Sequence, residues 1–421
     1  MNEKLFQHIW QHKYFNLNDL KTTEGQNIII NNPGKPNINE GPDFLNGKIT
    51  IAGTIWVGNI ELHLKTSDWL KHRHNADANY NNVVLHVVYE NDASLPRNIP
   101  TLELGNRISK MLLDQYARLL NSTEKIACSA HILNTDKLVF NAWLERMLIE
   151  RLEDKTKNIK LLLSKNNYHW EEVFWWKIAA NFGAKINSEA FEKIAASIPI
   201  KIINKHKSNL NDIEALLFGQ AGLLNRKLKD PYCKMLKKEF AFLTKKYSLN
   251  KIHYPIYFLR MRPANFPTVR LAQLAALINK SSHLFSTLKE EPHLKNVKNY
   301  LTVEATNYWQ NHYNFDVETI SKPKTIGEQM VDNIIINTVI PVFFTYSEIN
   351  SIQSMKEKML RWLSEIQPEN NYVTRVFEDC GIEIKSAFES QALLHLKKEY
   401  CDQKKCLQCS VGNKIIYSSC K

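Results

Sequence analysis

Apolar positions in the first 120 residues change their period several times. Leu5, Phe6, Ile9 and Trp10 recur at helical spacing and predict an opening helix. "NIIINNPG" reads as a strand closing on a turn. The stretch "EGPDFLNGKITIAGTIWVGNIELHLK", residues 40–65, reads as two strands paired through a turn near "AGT". "SDWLKHRHNADANY" is polar and predicts a short helix or loop, "NNVVLHVVYEND" a strand apolar on both faces, and "IPTLELGN" another short strand. "RISKMLLDQYARLL" predicts an amphipathic helix with Ile108, Met111, Leu112, Tyr116, Leu119 and Leu120 along one side. These elements make a small α/β unit around one sheet.

From about residue 135 the pattern changes to long helical stretches such as "FNAWLERMLIERLEDKTKNIKLLL" and "HWEEVFWWKIAANFG", separated by Asn/Lys/Pro-rich breaks. The expected organisation is an α/β domain over 1–122, an α-helical domain over 135–398 and a Cys-rich segment over 399–421. A chain of 421 residues with 44% hydrophobic content can bury real cores, which excludes a disordered tail. The start lacks the basic, apolar and small-residue pattern of a signal peptide, and no apolar run approaches the roughly 20 residues of a membrane span. The expectation is a soluble cytoplasmic protein with no membrane partner.

Within the hairpin, Trp56, Ile60, Leu62 and Leu64 share one side of the second strand, while Glu61, His63 and Lys65 share the other. Asp43, heading the preceding strand, is expected beside Glu61. Two convergent carboxylates suit a hard divalent cation, which takes oxygen ligands and keeps several waters. Such an ion lowers the pKa of bound water, and a neighbouring His63 or Lys65 can steady the nucleophile or the transition state.

Pro42-Asp43 followed by Glu61-Leu62-His63 on the next strand, in this element order, resembles the PD-(D/E)XK (restriction-endonuclease-like) nuclease superfamily. The resemblance implies a mixed sheet flanked by helices, Mg²⁺ or Mn²⁺ held by Asp43 and Glu61, and a lysine two residues after the glutamate. Histidine occupies that place here. Either His63 substitutes, or Lys65 reaches in, or the fold persists without activity. Over nearly its full length the chain also resembles a bacterial family known only as domain of unknown function 2851, through "GPDFLN", "GNIELHLKTSDWLKHRHNADANYNNVVLHVVYEND", "RMRPANFPTVRLAQLAAL" and "YCDQKKCLQCSVGNKI". That resemblance implies no particular activity.

Beyond the hairpin, His72, His74 and Asp77 lie in the polar segment, where the imidazoles can act as general bases or transition-metal ligands, or be exposed loop histidines. His86 sits in an apolar strand and is read as a hydrogen-bonded core residue or as support behind Asp43 and Glu61. Arg260, Arg262 and Arg270 surround two prolines near a predicted helix start at Pro267 or Thr268, an arrangement suited to a phosphate or to acidic side chains across the domain boundary. Cys401, Cys406, Cys409 and Cys420 crowd the last 21 residues, a spacing that suits Zn²⁺ or an iron–sulfur cluster, with free thiols as the alternative. Cys128, Cys233 and Cys380 are read as isolated small core residues.

The net charge of +12 is uneven: residues 1–120 hold 12 Lys+Arg and 12 Asp+Glu, leaving 43 against 31 for the rest. A basic surplus favours nucleic acid through counterion release, though Lys-rich solvated helix faces produce the same count. The leading expectation is a metal-dependent nuclease. Its rival is an inactive nuclease-like module that binds nucleic acid or protein, and a third class is an enzyme on another substrate using His72 and His74 with a transition metal.

Overall fold

Helix α1 (Glu3–His12) begins where the side chain of Asn2 accepts a hydrogen bond from the Leu5 N–H at 2.9 Å, an N-cap that satisfies a free helix donor. Its apolar side, Leu5, Phe6, Ile9 and Trp10, is fully buried in the core of the first unit. This arrangement is seen in a computed structural model that describes residues 1–96, 99–259, 261–281 and 283–418.

Strands β1 (Ile28–Asn32), β2 (Lys35–Pro36), β3 (Phe44–Ile51), β4 (Thr54–Lys65), β5 (Val83–Glu90) and β6 (Thr101–Glu103) form one mixed sheet. Its order is β1-β3-β4-β5-β6, with β2 beside β3. The first strands form an antiparallel meander, whereas β4 pairs parallel with β5 and β5 parallel with β6. The β3–β4 turn is the expected tight one: Ala52 (φ 47°) and Gly53 (φ 83°) both take positive φ, which matches the twist of the paired strands. Parallel pairing needs a crossover. Residues 66–82 supply it through α2 (Asp68–Lys71) and two single 3₁₀ turns, His74–Ala76 and Ala78–Tyr80.

Gly58 lies in β4 opposite Gly47 of β3. A Cβ on Gly58 would stand 2.4 Å from Val84 Cγ1 and 2.7 Å from the Asn82 carbonyl oxygen, so the close approach of β4 and β5 here requires glycine. Two expected core residues are exposed instead. Trp56 is 48% exposed because the turn end of the β3–β4 hairpin carries no buried side chains from Thr54 to Val57. Met111 is 52% exposed because helix α3 (Lys110–Asn121) turns Leu112, Tyr116 and Leu119 inward.

By internal contacts the chain divides into two compact units. Unit 1 comprises Met1–Glu145, Arg375–Ile382 and Leu394–Lys421, and so includes the Cys-rich segment. Its core joins α1, the sheet and α3 to Ile416 of the C-terminal helix Ser410–Ser418. Unit 2, Arg146–Thr374 and Glu383–Leu393, is mostly helical. It contains the one helical stretch among the described residues with the length and apolarity of a membrane span, Glu328–Ile349. Its most apolar window is 78% buried in the protein, as in the central helix of a core.

Candidate metal centre

The antiparallel register sets Phe44 against Ile60, so the residue before β3, Asp43, stands opposite Glu61. Backbone groups lock the pair. The Asp43 N–H donates to Glu61 Oε2 at 3.0 Å, and the Leu62 N–H donates to Asp43 Oδ2 at 3.1 Å. From α1, Gln7 Nε2 donates to Asp43 Oδ1 at 2.8 Å. Burial, then the charge of Asp43, holds the Glu61 carboxyl well above the ordinary glutamate range. Asp43 is raised too, chiefly by burial, against the lowering effect of the Leu62 N–H. Both shifts arise from burial first and from neighbouring carboxylates after it.

Two residues along β4, on the same face as Glu61, His63 is 1% exposed. Its Nδ1 lies 2.9 Å from His86 Nε2 and its Nε2 lies 3.1 Å from His72 Nδ1. His63 Nε2 is also 3.5 Å from Glu61 Oε1, and His74 Nε2 approaches the same oxygen at 3.4 Å. One ring nitrogen from each of His63, His72 and His74 lies within 4.8 Å of the other two. Burial pushes His63 and His86 down to about 3 and His74 down to about 4, so these rings are neutral near pH 7 and each keeps a nitrogen lone pair.

The crossover brings the loop histidines back to β4. Arg73 adopts left-handed backbone (φ 60°) between His72 and His74, and Asp77 accepts the Asn79 N–H at 2.9 Å to cap the next turn. That turn carries Tyr80, whose ring stacks on His74 at 3.8 Å, while fully buried Trp69 stands edge-on to His74 and His86. His72 remains exposed and His74 is buried, so the exposed-loop reading holds for only one of them.

Other candidates lie apart from this cluster. Lys65 pairs with Glu90 at 3.2 Å, and its side chain is 47% exposed. In unit 2, Arg262 is exposed, whereas Arg270 donates through Nη1 to Gln273 Oε1 (2.9 Å) and through Nη2 to Asn265 Oδ1 (2.6 Å). Its hydrogen bonds go to amides of its own unit; the helix it stands on, Pro267–Lys280, starts at the expected proline. Arg260 and Cys420 lie outside the described residues.

Cys401, Cys406 and Cys409 gather in unit 1 within electrostatic reach of one another and of Cys128, the thiol read from sequence as isolated. Burial, reinforced by the neighbouring thiols, pushes Cys406 up to about 11 and Cys128 up to about 12. Burial raises the Cys409 thiol too, against the lowering effect of the backbone N–H groups of Gly412 and Val411. No spacing rule marks a cysteine so far upstream as their neighbour. The grouping of His63 with His72 and His74 had a partial signal, a histidine pair closely following the Glu-Leu-His strand, but the turn that folds them back has no periodicity.

No curated protein and no solved structure matches the chain. A family model described as "Protein of unknown function (DUF2851)" matches residues 3–372, and with most of its length covered the chain belongs to that family.

Proposed function

We propose that unit 1 is a metal-dependent phosphodiesterase acting on nucleic acid, with Asp43 and Glu61 as its oxygen ligands for a divalent cation, Mg²⁺ or Mn²⁺. The observation that carries this reading is the reciprocal locking of Asp43 and Glu61 across β3 and β4. The order of α1, an antiparallel meander and a parallel fourth strand supports it, as does the basic surplus outside the first 120 residues. Among the described residues the nitrogens nearest Glu61 Oε1 are those of the neutral imidazoles of His63 and His74, so the donor set suits a cation it does not itself contain. When bound, such an ion lowers the pKa of water and stabilises charge on phosphate oxygens. Asp43 and Glu61 hold their carboxylates in fixed orientation through backbone N–H groups, which removes the cost of ordering them during the reaction. Hydrolysis joins the water oxygen to phosphorus and breaks the bond to one ester oxygen, which leaves with a proton.

The Lys65–Glu90 pair favours a second reading, in which unit 1 binds nucleic acid or protein without turnover, because among the described residues no lysine forms an ion pair with Asp43 or Glu61. Single-stranded, duplex and branched DNA and RNA, incubated with full-length protein and Mg²⁺ or Mn²⁺, separate the two. The phosphodiesterase reading expects cleavage that chelation abolishes and that falls by at least about 100-fold in Asp43→Ala and Glu61→Gln. Salt-sensitive binding without cleavage supports the inactive module.

A further inference from the structure

We propose that His63, His72 and His74, with Glu61 Oε1, form a transition-metal site of the zinc class, distinct from a hard-cation site made by carboxylates alone. A tetrahedral ion with bonds of about 2.0–2.1 Å has edges of about 3.3–3.4 Å between its ligand atoms. The edges seen are 3.1 Å for His63 Nε2 to His72 Nδ1, 3.5 Å for His63 Nε2 to Glu61 Oε1 and 3.4 Å for His74 Nε2 to Glu61 Oε1. An unpartnered atom points the same way. His74 is 8% exposed, its Nε2 is buried, and among the described residues that nitrogen has no hydrogen-bond partner although it faces Glu61. A buried ring nitrogen left unpaired is costly, and a metal–nitrogen bond satisfies it.

Ligand chemistry selects the ion. Imidazole nitrogen suits Zn²⁺, Fe²⁺, Ni²⁺ or Cu²⁺, whereas Mg²⁺ prefers carboxylates and water. His86 supplies outer support: its Nε2 lies 2.9 Å from His63 Nδ1, and in the tautomer where it accepts the Nδ1 proton, His63 Nε2 is free for the metal. Buried Trp69 and stacked Tyr80 border the site, while His72 is exposed. The other compact acid and thiol group, Asp230, Cys233 and Asp316, is committed to its loop. There, Asp316 accepts the N–H groups of Lys229 and Asp230, and Asp230 accepts the Tyr308 hydroxyl.

This inference goes beyond the phosphodiesterase reading and needs no substrate for its test. Full-length protein is stripped with a chelator, reloaded with Zn²⁺ or Co²⁺, desalted and analysed for metal, beside His72→Ala, His72→Ala/His74→Ala and Cys406→Ser/Cys409→Ser. The double histidine variant is expected to lose about one equivalent of metal per chain, together with the visible Co²⁺ bands of a nitrogen and oxygen site. The double cysteine variant keeps those bands. Equal metal content and spectra in wild type and the double histidine variant would overturn the proposal. Because His72 is exposed, His72→Ala tests the site even if the double variant does not fold: Zn²⁺ affinity falls by at least about tenfold, and an unchanged affinity overturns the proposal. Cleavage assays read the phosphodiesterase reading separately, since a protein can bind Zn²⁺ without cutting or cut without this ion.

Discussion

Position 63 decides how the carboxylate pair reads, because a histidine there contributes a neutral, directional lone pair where a lysine would contribute a mobile charge. The strand alternation shared by Glu61, His63 and Lys65 was readable from the sequence, but alternation says only which side a residue leaves the strand. At the end of β4, the register sets Lys65 beside Glu90 and the ammonium is consumed there. Lys65→Ala is therefore expected to change unfolding free energy by less than about 1 kcal/mol and to leave metal content and any cleavage intact, as chemical denaturation and the same assays will show. Glu61 and Asp43 bind protons more tightly folded than unfolded, so the stability they contribute is complete in acid. It is lost as pH rises through their raised values. His63, His74 and His86, lowered from 6.5, work in the opposite sense but only below 6.5. Above neutrality the carboxylates set the slope at this site. The thermal midpoint of chelated protein is expected to fall between about pH 7 and about pH 9, and Glu61→Gln to flatten that fall.

At the level of elements, β3 and β4 follow from the hairpin pattern and the turn at "AGT", β5 from a run apolar on both faces, and the Asp43–Glu61 pairing follows once β3 and β4 are in register. Of the crossover, the short helix expected in "SDWLKHRHNADANY" is α2, but the path that returns His72 and His74 to β4 does not follow, because two 3₁₀ turns and left-handed Arg73 have no period. Gly58 shows how tightly the element beneath the site is packed. Gly58→Ala sets a methyl group against Val84 and the Asn82 carbonyl and is expected to destabilise the protein by about 1–3 kcal/mol, measurable as a lower denaturant midpoint. Metal content is expected to fall in parallel, since β4 and β5 carry Glu61, His63 and His86.

For the whole molecule, a reading along the chain ends the α/β part near residue 122, yet unit 1 also takes in 375–382 and 394–421. Contacts that close it join residues at opposite ends of the sequence: His8 Nε2 is 2.9 Å from Asn413 Oδ1, and Tyr14 stacks on Tyr417 at 3.5 Å. Ile416 is fully buried in the same core. A fragment of residues 1–145 is therefore expected to lack a cooperative thermal transition, whereas the full chain shows one for this unit.

The same closure sets an order of events during synthesis. A ribosome makes the β-sheet early, at about 5–20 residues per second, but the helix bearing Ile416 emerges only at the end of the described chain. Until then the core of unit 1 that receives Ile416 beside α3 waits incomplete while the whole of unit 2 is translated. The nascent protein is thus most exposed to aggregation and proteolysis in its oldest part, the core around α1 and α3.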